Sequence, residues 1–179
     1  MEAILALDFQ ILDWIQLIRF DLLDSFMIFI TKLGDEGIIW IVLGLLLCLK
    51  KKYRPYGLMV LGALICGLLI GNWTLKPLFA RLRPFQIREG VELLIAPPSG
   101  FSFPSGHTRS SFEAAFVIWY MDKRAGVAAL ILAALITFSR MYLYVHFPTD
   151  ILGGIALGAF HAFLMIMVGK HFGVKPLNK

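Results

Sequence analysis

Charge is what this sequence has least of. Asp, Glu, Lys and Arg make up 16% of the 179 residues, against roughly 25% in a typical soluble domain. Hydrophobic residues make up 59%, more than a soluble chain of this length can hide, so the bilayer is the expected solvent. At about 20 residues per helical span, the chain has room for five or six spans and little else. That excludes a large soluble catalytic domain, a nucleotide-binding domain and a two-domain transporter with inverted halves. Cysteine is also scarce: Cys48 and Cys66 lie in apolar runs, form no CxxC, and read as small buried hydrophobes. No Lys/Arg run is interleaved with aromatics in a solvated segment, so no nucleic-acid partner is expected. The start of the chain has no basic n-region and carries Glu2, Asp8 and Asp13, so no cleavable signal peptide is expected. There is no internal repeat and no low-complexity tract.

What is present is a series of apolar helices, and the expected fold class is all-α, an integral membrane six-helix bundle. Ile4, Leu7, Ile11, Trp14, Ile15 and Ile18 recur at helical spacing, with Asp13, Gln16 and Arg19 opposite. Residues 1–19 therefore read as an amphipathic segment lying in the membrane interface, the alternative being a packed extension of the first span. The first span covers Phe20 to Leu33 and ends in the turn Gly34-Asp35-Glu36-Gly37. The second runs from Ile38 to Leu49 and stops at Lys50, Lys51, Lys52 and Arg54. The third is Tyr56 to Leu75, and a polar, Pro-containing loop follows over 76–106. The remaining spans are His107 to Met121, Ala125 to about Leu143, and Asp150 to Val168. The bundle occupies 20–169, and 170–179 form a basic tail with Lys170, Lys175 and Lys179. Gly67 with Gly71, and Gly154 with Gly158, are spaced as GxxxG and predict close helix packing.

Charge bias sets the orientation. With the ends of spans two, four and six in the cytoplasm, ten of the 17 Lys and Arg lie inside, Arg19 among them, and both termini are cytoplasmic. Lys32, Lys76, Arg81, Arg83, Arg88, Arg109 and Arg140 stay on the outer side, more than charge bias alone would leave there. The outer face has a use for positive charge.

Three outer segments concentrate polar groups. Lys76 and Arg83-Pro84 end the third span, Pro104-Ser105-Gly106-His107 opens the fourth, and Ser139-Arg140, His146 and Asp150 surround the turn between the fifth and sixth. Distant segments converging at one depth are what a site requires. His146 and Asp150 are four apart, so on a helical turn they are neighbours. An Asp accepting from one ring nitrogen leaves the other free as base or nucleophile. The alternative is a capping Asp beside an interfacial His. Ser105 and Gly106 at a helix start offer free amides and a positive dipole end, suited to phosphate, or else they are an ordinary cap. Lys76 fits snorkelling to headgroups tolerably, whereas Arg140 lies inside a span, where an Arg defaults to a paired or functional role.

Together these residues carry all three motifs, Lys-x6-Arg-Pro, Pro-Ser-Gly-His and Ser-Arg-x5-His-x3-Asp, without a gap or substitution at the defining positions. The chain thus resembles the type 2 phosphatidic acid phosphatase family from about Asp24 to Val168; the N-terminal segment lies outside the resemblance. The resemblance implies that His146 attacks phosphorus and becomes phosphohistidine, that Asp150 orients it, and that His107 protonates the leaving oxygen and then activates water. It assigns Lys76, Arg83, Ser105, Gly106 and Arg140 to phosphate binding and Ser139 to a supporting role. No metal or other cofactor is expected, because local carboxylates are too few for a divalent-ion cage and the cations already supply positive charge. Arg81, Arg88, Arg109 and Glu113 fall outside the motifs; Arg81 and Arg88 read as contacts to a second phosphate or headgroup, or as solvated loop charges.

The implied substrate is a lipid phosphate or diphosphate at the outer face of a cell membrane. Undecaprenyl diphosphate or a broad range of lipid phosphates is favoured over phosphatidylglycerophosphate, phosphatidate or lipid A phosphates. Oligomeric state is left open. Vanadium haloperoxidases share the pocket but are soluble and much larger. A transporter or lipid-binding protein would fit intramembrane charge, but the charges gather at one face and no broken helix marks the midplane.

Overall fold

The structure, a computed structural model, describes residues 2–177. The element order is α1 (Glu2–Gln16), α2 (Asp21–Leu33), a 3₁₀ turn (Asp35–Gly37), α3 (Ile38–Leu49), α4 (Arg54–Gly67), a π-helical stretch (Leu68–Leu75), α5 (Lys76–Phe79), α6 (Pro84–Ile87), α7 (Gly106–Met121), α8 (Lys123–Tyr142) and α9 (Pro148–His171). The described residues are helical or irregular, with no strand among them, as the apolar periodicity requires. Three stretches are long and apolar enough to cross a membrane: Arg54–Ile87, Lys123–Tyr142 and Pro148–His171. The core packs Trp40, Tyr56, Met59, Val60, Val117, Ile118 and Ile136 between α3, α4, α7 and α8. Large apolar side chains such as Leu45, Leu49, Ile65, Ile131, Leu152 and Phe163 stay exposed around the outside, the surface a lipid-facing bundle presents.

The starts of the elements follow local rules. Ser105 caps α7, its Oγ accepting from the Thr108 amide at 3.4 Å, and Asp122 caps α8 by accepting from Ala125. Pro55 and Pro148 occupy first-turn positions of α4 and α9, where a missing N–H costs nothing.

Two expectations about the crossings are corrected. The first concerns the span count. On α2, Asp24 bonds the Tyr142 hydroxyl, Thr31 meets Arg140, and Gly34 sits against Ile136. Numbers rise on α2 as they fall on α8, so the two are antiparallel. On α3, Gly44 lies against Val60 and Leu61, and Cys48 against Gly57, so α3 is antiparallel to α4. Since α4 and α8 both run toward the end of the bundle holding Lys76 and Arg140, α2 and α3 both run away from it. Their 13 and 12 residues reach only about 20 Å and 18 Å, each short of a hydrocarbon core of about 30 Å. Residues 21–49 therefore run in one direction along the bundle, bent at the glycine-flanked turn where Glu36 and Gly37 have φ of 50° and 68°. Six separate spans are not what the described residues form.

The second correction concerns the termini. α1 docks at the Lys76–Arg140 end: Asp8 binds Arg81 and Thr149, and Gln16 donates to the Tyr142 carbonyl. The segment after α9 packs at the other end, where Leu177 N–H bonds Met121 O and the Tyr56 hydroxyl bonds Lys175 O. The described ends of the chain thus lie on opposite sides of the bundle, not on the same side, and Arg19 sits at the α1 end. Lys179, counted in the basic tail, lies outside the described residues.

α1 is amphipathic, but in a different sense from the one expected. Ile4, Leu7, Trp14, Leu17 and Ile18 are exposed. Leu5, Phe9 and Leu12 pack against Tyr144 and Phe147, and Asp13 and Gln16 bond protein groups. Periodicity found the apolar stripe and not which face meets the protein.

Candidate active site

The three motif segments meet at one end of the bundle around a cavity of about 850 Å³, lined by Lys76, Arg83, Gly106, His107, Arg140 and His146. Each side chain arrives on its own element. Lys76 follows the π-helical stretch, whose wide turns place Leu68, Asn72 and Lys76 on the cavity side. Arg83 precedes α6 and is buried; its Nε and Nη2 donate to the carbonyls of Gly100 and Ser99 at 3.0 and 3.1 Å, and its Nη1 to Val145 O at 3.0 Å. These carbonyls spend three edges of the fork, so the side chain has one orientation. Arg140 is buried in the last turn of α8, its Nη1 held by the Thr31 hydroxyl. Its Nε is buried and has no hydrogen-bond partner among the described residues.

His146 lies in the turn between α8 and α9 and is 2% exposed. Its Nε2 is 3.1 Å from Arg83 Nη1, and its Nδ1 is 3.4 Å from Asp150 Oδ2, longer than a normal hydrogen bond. Burial, reinforced by Arg83 and Arg140, holds this imidazole well below its ordinary pKa, so it is neutral near pH 7. Asp150 is fully buried in the first turn of α9. Its Oδ2 accepts from the Phe147 amide at 2.8 Å and its Oδ1 from Arg81 Nη1 at 2.6 Å. His107 opens α7, and its Nε2 lies 2.9 Å from Asp35 Oδ1. Ser105 and Gly106 lie at the head of α7, whose first-turn amides have no intrahelical acceptor. A Cβ on Gly106 would approach Asn72 Oδ1 and Lys76 Nζ at 3.7 and 3.8 Å, so only a glycine leaves that part of the cavity open.

All of the expected site residues except Ser139 lie at this cavity or bond a residue that lines it. Ser105 is buried, and its hydroxyl is taken by Thr108. Ser139 is also buried, but its hydroxyl donates to Ile136 O at 2.6 Å within its own helix and so does not point at the cavity. The non-motif arginines at this end each meet a carboxylate, and Arg88 also keeps the exposure of a solvated loop charge. Arg81 pairs with Asp8 and Asp150, Arg88 with Asp13, and Arg109 with Glu113. Lys76, Arg83 and Arg140 have no ion pair among the described residues. The outer excess of charge therefore sorts itself: the non-motif arginines are neutralised by carboxylates, and the motif cations face the cavity unpaired.

Several contributors escaped sequence reasoning. Asp35 was visible only as part of a turn, although an acidic pair between glycines inside an apolar stretch is itself a signal. Asp8 gave none, because its partnership with Arg81 depends on the docking of α1. Gly67 and Gly71 also mean something other than bare helix packing. A Cβ on Gly67 would lie 1.4 Å from Arg109 Nη1 and 2.0 Å from Glu113 Oε1, and one on Gly71 would lie 2.7 Å from Arg109 Nε. They clear space for a buried Arg109–Glu113 pair, which His161 Nδ1 joins at 2.7 Å from Glu113. Gly154 and Gly158 do bring α9 against the backbone of α7, as GxxxG predicts.

Two histidines, unpaired cations and free helix amides at one end of an apolar bundle make a phosphatase that works at a membrane. Residues 53–172 match the PAP2 superfamily. An undecaprenyl-diphosphatase of Sulfolobus acidocaldarius is 30% identical over 158 residues, 88% of this chain and 76% of that protein. The undecaprenyl-diphosphatase BcrC of Bacillus subtilis is 30% identical over 79% of this chain and 72% of its own. The crystal structure of a PAP2 type phosphatidylglycerolphosphate phosphatase from Bacillus subtilis superposes with a TM-score of 0.80 at 29% identity, over 99% of this chain and 90% of that one. The chain belongs to the PAP2 superfamily, and it is a membrane hydrolase of lipid phosphates.

Proposed function

We propose that the protein hydrolyses undecaprenyl diphosphate, or a range of lipid phosphates including it, on the extracytoplasmic face through a phosphohistidine at His146. The observation that carries this is the convergence of three unpaired cations and two differently partnered histidines on one cavity. With a proton on Nδ1 facing Asp150, the lone pair of His146 Nε2 is directed at phosphorus. Attack forms an N–P bond as the bond to the leaving oxygen breaks, and His107 gives that oxygen its proton. Water then attacks the phosphohistidine while His107 takes a proton back, releasing phosphate and neutral His146. Lys76, Arg83, Arg140 and the Gly106 region spread the charge on the equatorial oxygens.

The same cavity continues along Ile41, Leu61, Leu64, Ile65 and Leu68 on α3, α4 and the π-helical stretch. This apolar side supports a substrate whose chain stays in the bilayer while its phosphate enters the polar end. Charge supports the orientation. The end away from the site carries Lys50, Lys51, Lys52, Arg54, Lys123, Arg124, Lys170 and Lys175, which positive-inside bias puts in the cytoplasm. The chain then crosses five times, with α1 on the outer face, its exposed Ile4, Leu7, Trp14, Leu17 and Ile18 in the interface, and the C-terminal segment inside.

The structural likeness to the phosphatidylglycerolphosphate phosphatase favours, as a second reading, a monoester with a smaller lipid. Phosphate release from undecaprenyl diphosphate, phosphatidate, phosphatidylglycerophosphate and lipid A, measured with purified protein, separates the two. Highest kcat/KM on undecaprenyl diphosphate supports the first, preference for phosphatidylglycerophosphate supports the second, and release from none refutes both.

A further inference from the structure

We infer that α1 is a positioning element for the His146 turn, acting through Asp8 and Arg81 on Asp150. The inference rests on the reading of His146 and Asp150 as the nucleophile and its partner. Neither Asp8 nor Arg81 belongs to a motif, yet they form a continuous chain of contacts to the site. Asp8 is 2% exposed. Its Oδ2 accepts from Arg81 Nη2 at 2.7 Å and from the Thr149 hydroxyl at 2.5 Å, and its Oδ1 from the Thr149 amide at 3.0 Å. The N-cap residue of α9 is Phe147, which offers no side-chain cap, so Asp8 supplies one from another helix. Arg81 then spans the remaining gap, its Nη1 donating to Thr149 Oγ1 at 2.7 Å and to Asp150 Oδ1 at 2.6 Å. Its guanidinium lies 4.2 Å from the centre of the Phe147 ring, and Phe9 of α1 meets the same ring edge-on at 5.1 Å.

The geometry says what this does. Asp150 has two oxygens with separate duties: Arg81 holds Oδ1, and Oδ2 faces the Phe147 amide and His146 Nδ1. Fixing Oδ1 fixes the rotation of the carboxylate, and that rotation decides whether Oδ2 faces the imidazole. Both terminal nitrogens of Arg81 are engaged by protein oxygens. α1 secures the same turn twice more. Asp13 accepts from the Tyr144 hydroxyl at 3.0 Å, and Gln16 donates to Tyr142 O at 3.1 Å. Tyr144 has φ of 59°, a conformation a non-glycine residue holds only when its surroundings impose it.

The test uses full-length protein in phospholipid vesicles with undecaprenyl diphosphate and phosphatidate as substrates. Asp8→Asn, Arg81→Gln, the double variant and His146→Ala are compared by kcat, KM and melting temperature. Misplacing a reacting group by about 1 Å can cost about 100-fold, so each single variant should lose about tenfold or more in kcat with KM changed less than about twofold. The double variant should lose less than the product of the two single losses, because Asp8 and Arg81 hold the same turn. A folded Asp8→Asn with wild-type kcat would overturn the inference, as would a rise in KM with kcat intact, the mark of direct substrate contact, or losses that multiply in the double variant. Full turnover in His146→Ala removes the proposed mechanism and this inference with it. An inactive His146→Ala beside a fully active Asp8→Asn overturns the inference alone.

Discussion

Replacing Gly67 by alanine should be far more damaging than a one-carbon change in a membrane helix suggests. The added Cβ would sit 1.4 Å from Arg109 Nη1 and 2.0 Å from Glu113 Oε1, distances no side chain tolerates. The guanidinium must leave, and its pair with Glu113, 5% and 0% exposed, must open. Breaking a buried ion pair so that one charge is left uncompensated costs about 3–5 kcal/mol. For a chain of this size 1 kcal/mol shifts the melting temperature by about 2–4 °C, so the expected drop is about 6–20 °C. Gly62→Ala is the control, because its Cβ would meet only the Met165 thioether, 2.8 Å away, at the end of a flexible side chain that can swing aside. Melting both variants in one detergent, followed by helical circular dichroism, compares a rigid charged obstacle with a soft one. Equal melting temperatures would refute the assignment of Gly67 to the buried pair.

His146→Ala should release no phosphate while melting within a few degrees of wild type; wild-type turnover would rule out the phosphohistidine. Asp35→Asn should lower kcat by about 10- to 100-fold, because the partner of the general acid is lost, and an unchanged rate would remove Asp35 from the mechanism. Arg140→Gln should move the acid limb of the pH–rate profile upward. Arg83, Arg140, His107 and Lys76 all disfavour protonation of His146, so removing one cation raises its pKa and activity is lost at a higher pH; a limb moved downward would contradict this. A reporter fused ahead of α1 should be active outside the cell and one fused beyond Leu177 active inside. Activity of both on the same side would contradict five crossings.

Much of the site was legible because its chemistry is carried by fixed spacings. His146 and Asp150 are four apart, and Ser105 precedes a helix start. These local relations survive whatever the bundle does, and the motif cations could be found with them. Helix identity was legible for the same reason, since apolar runs and caps are local. Direction was not. Phe20 to Leu33 and Ile38 to Leu49 look like two short spans separated by a turn, and a turn in sequence usually reverses the chain. Here Gly34 and Gly37 bend the chain without reversing it, and contacts such as Thr31 with Arg140, 109 residues apart, are what reveal it. Hydropathy does not show those contacts. That one unreversed turn changed the span count and then the side on which the chain begins. The ion pairs of Arg81 and Arg88 were hidden for a related reason. Their partners, Asp8, Asp150 and Asp13, lie mostly on α1, and nothing in α1 marks it as part of the site.

The docking of α1 also has a consequence in time. Asp8 and Thr149 are separated by 141 positions, Asp13 and Tyr144 by 131, and Gln16 and Tyr142 by 126. A growing chain emerges from its N-terminus, so the first helix made has no docking surface until the end of α8 and the start of α9 have been inserted. Until then Asp8 and the apolar side of Phe9 and Leu12 have nothing to dock against, and Asp150 has not yet been made. The site is then complete only with α9 in place, and a truncated or half-inserted chain holds Lys76, Arg83 and His107 without the turn that carries His146 and Asp150.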